Sequence, residues 1–443
     1  MVKKGIQTML ATAPVPGISH DHLLVLLIQM GALLILAIGL GRLALRLRLP
    51  AVVGELLAGV VVGPSLLGNV APAFSHWLLP RDPEQMHLIG AISQLGALLL
   101  VGITGAHIDL GLLRRKRVVI GWVSMGSVLF PLVLGVGLGF LLPASVIGEG
   151  GDRTTFAFFI GVAIAVSALP VIAKTLMDMG LLHRNVGQVI IGAAAVSDVL
   201  GWMLLSVVSA MATAGFRLVV VAESVGYLLI VLAVTVFLAR PLIGRVLRPI
   251  ACSAESTELG IAACVVLIVL SAAGTHALNM EPILGAFLCG TVIGSLGRNS
   301  RRLLEALRPF VMAVLAPLFL ATAGLQVDLS ALKDLSVLSA GLITLVVAVG
   351  GKLVGGYAGA RMGKLDHNES LAIGAGLNAR GVVEIVLASV GLGIGVLNTA
   401  SYTIVVLVAM VTSVMAPPLL RRTTSRIVKT ATEIERERDY AAV

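Results

Sequence analysis

The chain has 443 residues, of which 58% are hydrophobic and only 12% are charged, and its mean hydropathy is +1.03. Because soluble domains carry about 25% charged residues, this composition excludes a soluble globular protein and predicts an all-α polytopic membrane protein in a lipid bilayer. The formal net charge of +9 comes from basic residues in short links between apolar segments, so we expect no nucleic-acid partner. The three cysteines show no metal-ligand spacing, and we expect no cofactor.

Thirteen apolar segments follow one another along the chain, and most approach the roughly 20 residues that a helix needs to cross a bilayer. Segments 1 to 13 are 23–41, 51–67, 87–107, 117–142, 154–178, 186–212, 218–239, 256–275, 281–296, 307–327, 335–359, 370–391 and 398–419. Since the links are short, we expect a single transmembrane domain over 23–419. A short extracytoplasmic N-terminus, 1–22, precedes it, and a charged cytoplasmic tail, 420–443, follows it.

The distribution of basic residues predicts the orientation of these segments. Most of the 32 Lys and Arg residues lie in one alternating set of links and in the tail. The positive-inside rule therefore places the N-terminus outside and the C-terminus in the cytoplasm, which requires an odd number of spans. We expect a bacterial inner membrane.

The sequence repeats internally with a step of seven segments. VVGELLAGVVVG (52–63) matches ILGAFLCGTVIG (283–294), and GITGAHIDLGLL (102–113) is similar to ATAGLQVDLSAL (321–332). Three glycine pairs of the first match align, namely Gly54 with Gly285, Gly59 with Gly290, and Gly63 with Gly294. Because seven is odd, the copies have opposite orientation, which predicts the inverted-topology repeats of secondary transporters.

Segments 5 and 12 correspond in this repeat, and each contains residues that interrupt helices. Segment 5 includes AVSALPVIAK (165–174), with Pro170 in its middle, and segment 12 includes AGLNARGVVEIV (375–386). Proline removes a backbone donor, and Gly and Asn are weak helix formers. We therefore predict helix breaks at Pro170, Asn378 and Gly381, with facing half-helix ends that hold an ion.

Asp198 is the only charged residue between Arg184 and Arg217. It follows Arg184 by about 14 residues, roughly 20 Å of helix, which places it near the bilayer centre. An ionisable side chain there is costly and indicates function. Because desolvation favours a neutral carboxyl group, Asp198 is predicted to hold a proton and to exchange it for an alkali cation, with the hydroxyl groups of Ser197 and Ser167 as further ligands.

Three more charged residues lie inside the apolar segments. Lys352, in segment 11, could extend its ammonium group toward the cytoplasmic face, but we expect it to face the interior, where it neutralises a carboxylate or supports the broken helices. Arg380 and Glu384, in segment 12, are spaced i,i+4, and we expect them to pair on one helix face in a structural role.

Four stretches together resemble the monovalent cation:proton antiporter superfamily, most closely the branch with plant cation/proton exchangers and their bacterial relatives. They are VSALPVIAKTLMDMGLL (166–182), AAAVSDVLGWMLL (193–205), EPILGAFLCGTVIG (281–294) and GLNARGVVEIVL (376–387). The resemblance implies an NhaA-like fold with two crossed discontinuous helices, a homodimer, and no enzymatic activity. It divides the chain into a dimer domain (segments 1–3 and 8–10) and a core domain (segments 4–6 and 11–13) that moves like an elevator.

By the same resemblance, Asp198 is the essential ion-binding residue, Lys352 the basic residue of segment 11, and Ser167 the hydroxyl residue of the crossing. The family usually has Asp-Asp or Asn-Asp where this chain has Ser197-Asp198. A single exchangeable carboxylate favours electroneutral exchange of one Na⁺ or K⁺ for one proton.

Two other classes of protein compete with an antiporter. A sodium-coupled symporter of a small organic anion could use a similar inverted-repeat fold, but it would need a polar pocket rich in Asn, Gln and Ser. A channel or an ion sensor would need a conduction loop or an output domain, and neither is visible in the sequence.

Overall fold

The computed structural model of the protein describes residues 19–47, 49–79, 83–106, 116–181, 184–214, 218–252, 257–278, 280–427 and 433. Within these ranges the regular structure is helical, and the extended backbone is limited to one isolated bridge between Ile147 and Leu397. The predicted all-α architecture is therefore confirmed.

The longer helices are α1 (His20–Arg46), α2 (Ala51–Val62), α3 (Pro83–Ala106), α4 (Arg117–Leu141), α5 (Arg153–Ala165), α6 (Leu169–Asp178), α7 (Asn185–Ala214), α8 (Leu218–Val234), α9 (Arg240–Cys252), α10 (Thr257–Ala277), α11 (Pro282–Ser295), α12 (Arg298–Phe310), α13 (Ala316–Gly324), α14 (Leu335–Met362), α15 (His367–Leu377), α16 (Val382–Gly393) and α17 (Thr399–Thr424). Two short helices, Leu67–Val70 and Pro72–Leu78, lie between α2 and α3. Single π-helical turns, Thr235–Ala239 and Val311–Leu315, join α8 to α9 and α12 to α13.

Many of these helices have the length and apolarity of membrane spans. Nine helices in the described ranges meet both criteria, and α15 with α16, bent by 45° at their junction, form a tenth candidate. The helices α2, α5 and α11 are apolar but shorter. Large apolar side chains such as Ile35, Phe237 and Val346 are exposed on the outer helices, as expected for surfaces that face lipid. The chain is an integral membrane protein.

The helices next to the two breaks form the centre of the molecule. Every side chain of α5 from Thr155 to Ala165, apart from the half-buried Phe158, is buried, and so is every side chain from Val382 to Ala388 in α16. A helix that is apolar on all sides lies either inside a protein or in contact with lipid. The burial of their side chains places α5 and α16, with their polar residues, in the protein interior rather than against lipid.

The internal repeat of the sequence is also a repeat of the packing. Gly59 of α2 lies against the backbone of Ala321 in α13, and the aligned Gly290 of α11 lies against the backbone of Gly102 in α3. The other aligned pairs behave in the same way: Gly54 lies against Leu40 and Gly285 against Ser271, while Gly63 lies against Leu325 and Gly294 against Ala106. At every one of these positions except Gly63, a Cβ atom would overlap backbone atoms of the facing segment, so those contacts require glycine. Residues 107–113 of the second aligned pair lie outside the described residues.

The C-terminal tail contacts the start of α7, the helix that carries Asp198. The Arg184 guanidinium donates to the backbone carbonyl of Ile427 at 3.0 Å and forms an ion pair of 3.3 Å with Glu433. Glu433 also accepts from the backbone N–H of Asn185, the first residue of α7, at 2.6 Å. The sequence did not predict this contact. The other tail residues after Ile427, and residues 1–18 of the predicted extracytoplasmic N-terminus, lie outside the described residues.

Candidate ion-binding site

Two breaks in the helices meet at the centre of the protein. The first, 166–168, separates α5 from α6, and the second, 378–381, separates α15 from α16. The Ser167 hydroxyl donates to the backbone carbonyl of Leu377 at 2.9 Å, and the Ala168 N–H donates to the carbonyl of Ala379 at 3.2 Å. The two broken helices are therefore hydrogen-bonded to each other at their breaks.

The predicted break residues have different places in this arrangement. Asn378 and Gly381 are the first and last residues of the second break. Pro170 is not in the first break but is the second residue of α6. A proline is tolerated in the first turn of a helix because no intrahelical acceptor is available to its nitrogen. Proline thus marks where the second half-helix begins, and the chain leaves helical conformation a few residues earlier.

Asp198 lies on the continuous helix α7, which passes the first break. Gly201, nearly one turn after Asp198, packs against Val166 in that break. The backbone N–H of Leu169, at the positive end of α6, lies near the Asp198 carboxyl group without meeting hydrogen-bond geometry. Asp198 is 0% exposed, and neither of its oxygens has a hydrogen-bond partner among the described residues.

On α7 and in the second break, two other buried side chains carry an oxygen atom that makes no hydrogen bond within the described part of the chain. They are the Ser197 hydroxyl and the Asn378 amide, whose oxygen and nitrogen are both unpaired. Buried polar groups are nearly always hydrogen-bonded, so three side chains on α7 and the second break whose oxygen atoms lack partners are unusual. Carboxylate, hydroxyl and amide oxygens are the ligands that hard cations prefer.

Sequence reasoning assigned Asn378 only to a helix break and missed its side chain as a possible ligand. The available signal was an amide side chain within an otherwise apolar segment. Ser167, predicted as a ligand, uses its proton in the bond to Leu377, and its oxygen keeps its lone pairs.

Lys352 and Arg380 both bind the C-terminal end of α5. The Lys352 ammonium donates to the backbone carbonyls of Ser127, at 3.0 Å, and Ala165. The Arg380 guanidinium donates to three carbonyls, those of Ala163 at 3.0 Å, Ile164 at 2.6 Å and Ala348 at 3.2 Å. The last carbonyls of a helix lack intrahelical partners and carry partial negative charge. The two buried bases therefore stabilise the end of α5 that the first break exposes.

The expected i,i+4 pair of Arg380 and Glu384 is wrong. Glu384 accepts from the N–H of Gly381 at 2.7 Å through one oxygen, and its other oxygen has no partner among the described residues. An i,i+4 pair requires both residues on one continuous helix, but Arg380 lies in the break before α16 and points to α5. The two groups still lie within electrostatic range of each other.

A cavity of about 440 Å³ has no contribution from Asp198 to its lining. It is lined by residues at the beginnings of α4, α7 and α15, including Arg117, Asn185 and Glu369. A small cavity of about 10 Å³ lies beside Arg380 and Glu384. Because Asp198 is fully buried, the structure corresponds to a state in which this carboxyl group is closed to solvent.

Residues 32–425 match the family model described as sodium/hydrogen exchanger, transmembrane. The chain belongs to the sodium/hydrogen exchanger family. This confirms the resemblance to cation:proton antiporters, and it places the chain among transporters rather than enzymes.

Curated relatives lie in the expected branch. The chain is 29% identical to the Na(+)/H(+) antiporter NhaS4 of Synechocystis sp., over 90% of this chain and 97% of that protein. It is 28% identical to the cation/H(+) antiporter 17 of Arabidopsis thaliana over 90% of this chain. The chain spans about half the length of this plant relative, 48%.

The fold is similar to that of a solved antiporter. The structure of the sodium proton antiporter MjNhaP1 from Methanocaldococcus jannaschii matches with a TM-score of 0.66, and the match covers 94% of this chain and 99% of that one. At 15% identity this likeness shows the fold alone.

Proposed function

We propose that the protein exchanges a monovalent cation, Na⁺ or K⁺, for a proton, and that Asp198 binds the two ions in turn. The observation that carries this proposal is the Asp198 carboxyl group, which is fully buried and lacks hydrogen-bond partners among the described residues. An ionised carboxylate in such surroundings needs a counter-ion, and a neutral one holds a proton. Both states that antiport requires are thus available to one side chain.

The exchange step replaces one ion by the other at the same atoms. A cation that reaches Asp198 displaces the carboxyl proton, which leaves to solvent on the same side of the membrane. Ser197, Ser167 and Asn378 supply neutral oxygen ligands around the alkali cation. Relatives named for Na⁺ exchange and for K⁺ exchange are both similar to this chain, so the proposal includes either ion.

The charge balance favours electroneutral exchange of one cation for one proton. Asp198 is neutralised equally by a proton and by a monovalent cation, so both loaded states have the same net charge. Ser197 offers no second carboxyl group at this position. Proton flux that follows an imposed membrane potential in its rate or end-point would contradict this part of the proposal.

We propose a thirteen-span topology with the N-terminus outside and the C-terminus in the cytoplasm of a bacterial inner membrane. The nine long helices, the bent pair α15 and α16, and the shorter helices α2, α5 and α11 would supply these crossings. The matched glycine contacts support NhaA-like inverted repeats. We further propose a homodimer in which the core (segments 4–6 and 11–13) moves against the dimer domain (segments 1–3 and 8–10).

Purified protein in proteoliposomes provides the test. An inward gradient of NaCl or KCl should drive proton efflux from wild-type vesicles, and the Asp198→Asn variant should show none. If Asp198→Asn keeps the flux, the assignment of Asp198 fails. Cation uptake that requires an organic anion, without opposing proton flux, would instead support the symporter.

A further inference from the structure

Four ionisable side chains are buried together around the two breaks. Asp198 lies within electrostatic range of Glu384 and Lys352, and Lys352 lies within range of Arg380. Each of the four is at most 1% exposed. Two of these groups are acidic and two are basic, so the set is neutral when all four are ionised.

The net charge of this set changes when Asp198 binds an ion, because the bound proton or cation cancels the charge of the carboxylate. When Lys352 is protonated, it and Arg380 then carry two positive charges, and the guanidinium of Arg380 does not release its proton. Ser197 has no charge to offer. Within this set, Glu384 is the only group left to offset the two bases.

The position of Glu384 is suitable for offsetting the charges of the two bases. It lies three residues after Gly381, so the cap bond from the Gly381 N–H fixes its carboxyl group at the second break. Its second oxygen is buried and makes no hydrogen bond within the described residues. A cavity of about 10 Å³, lined by Glu384, Arg380 and Thr344, adjoins it and has room for about one water molecule.

A capping role alone does not explain a buried carboxylate. Glu369 makes the same kind of bond at the start of α15, from the Asp366 N–H at 3.2 Å, and it is only partly buried. A glutamine oxygen can accept a cap bond equally well. A neutral side chain would also avoid the cost of burying a charge. The charge of Glu384 therefore serves something other than the cap.

We propose that Glu384 is the fixed counter-charge of Lys352 and Arg380, a positioning residue that keeps the site beside Asp198 attractive to a cation. This inference rests on the proposed cation/proton exchange. Without the carboxylate of Glu384, the two buried bases repel an incoming cation, and the apparent KM for the cation rises.

The test compares Glu384→Gln with the matched variant Glu369→Gln in proteoliposomes, with proton flux measured as a function of cation concentration. Both glutamines can keep their cap bonds, so a capping role predicts the same small effect in both. We expect Glu384→Gln to raise the apparent KM about tenfold or more, and Glu369→Gln to leave it within about twofold of wild type. An unchanged KM in Glu384→Gln overturns the inference.

A second experiment moves the carboxylate group from residue 384 to residue 344. Thr344 is buried in α14 and lines the same small cavity as Arg380 and Glu384, so Thr344→Asp returns a negative charge to this cavity. The double variant Thr344→Asp/Glu384→Gln should recover a KM near that of wild type, including where Glu384→Gln alone does not assemble. A double variant that transports no better than Glu384→Gln overturns the inference.

Two controls separate this inference from the function on which it rests. If wild type shows no cation-driven proton flux, or Asp198→Asn retains it, the exchange mechanism itself is wrong. If wild type transports, Asp198→Asn does not, and Glu384→Gln has an unchanged KM, only the role of Glu384 is wrong.

Discussion

The hydroxyl group of Ser167 donates a hydrogen bond of 2.9 Å to the backbone carbonyl of Leu377, across 210 residues of sequence. Leu377 is the last residue of α15, so its carbonyl has no intrahelical partner. This bond joins the two breaks directly and fixes the backbone of both beside Asp198.

We expect Ser167→Ala to leave the buried Leu377 carbonyl without this partner, at a cost of about 1–3 kcal/mol of stability. Proton flux should fall as well, because the two broken helices are no longer held in a fixed position relative to each other. Ser206→Ala is the matched control, since its hydroxyl bonds to the Trp202 carbonyl within α7 and that helix persists without it. Thermal unfolding and cation-driven flux measure both effects. Equal behaviour of the two variants would show that the cross-break bond is unimportant.

Lys352→Met should destabilise the protein through the end of α5. The change removes the donors to Ser127 and Ala165 and leaves buried carbonyls unpaired, a loss of about 1.5–3 kcal/mol for hydrogen bonds to a charged group. Lys352→Gln keeps one donor group and should lose less. The exposed Lys333→Met provides the control for a lost positive charge. If Lys352→Met unfolds at the wild-type temperature, α5 does not depend on this cap.

The matched glycine contacts predict that Gly→Ala substitutions at aligned positions lower the stability by similar amounts. Gly59→Ala and Gly290→Ala each place a Cβ against backbone atoms, so each should cost about 1–3 kcal/mol or more. Gly31→Ala on α1 meets nothing within 4 Å and should be neutral or slightly stabilising. Thermal unfolding of the three variants tests the packing. A neutral Gly59→Ala or Gly290→Ala would contradict the close approach of these helices.

A crosslink tests whether α7 moves relative to α11. The Ser209 hydroxyl, near the end of α7, donates to Glu281 at the start of α11 at 2.6 Å. With the native cysteines removed, Ser209→Cys/Glu281→Cys should react with a short reversible thiol crosslinker. Movement of the core against the dimer domain predicts that the crosslink stops proton flux and that reductant restores it. Full flux in the crosslinked protein would rule out this movement.

The sequence was sufficient to locate the central carboxylate. A single aspartate in a long apolar segment is costly, and Asp198 is indeed fully buried. The helix class and the family also followed from composition and motifs. These signals are local, because each depends on residues within one segment.

The contacts around the breaks could not be predicted in this way. Pro170 suggested the place of the first break, but bonds from residues 167 and 168 to the second break define it. Arg380 and Glu384 have the spacing of a helical pair, yet the break between the helices removes the geometry that this spacing assumes. The ion pair of Arg184 with Glu433 likewise depends on folding of the tail against α7.

Proton release on cation binding tests the central claim that Asp198 carries both ions. Purified protein in weakly buffered detergent solution receives NaCl or KCl over a range of pH, and an indicator dye reports the protons released. The account predicts release of about one proton per chain by wild type, at a pH where Asp198 is protonated, and none by Asp198→Asn. Cation binding by wild type without proton release at any pH, or equal release by Asp198→Asn, would contradict it.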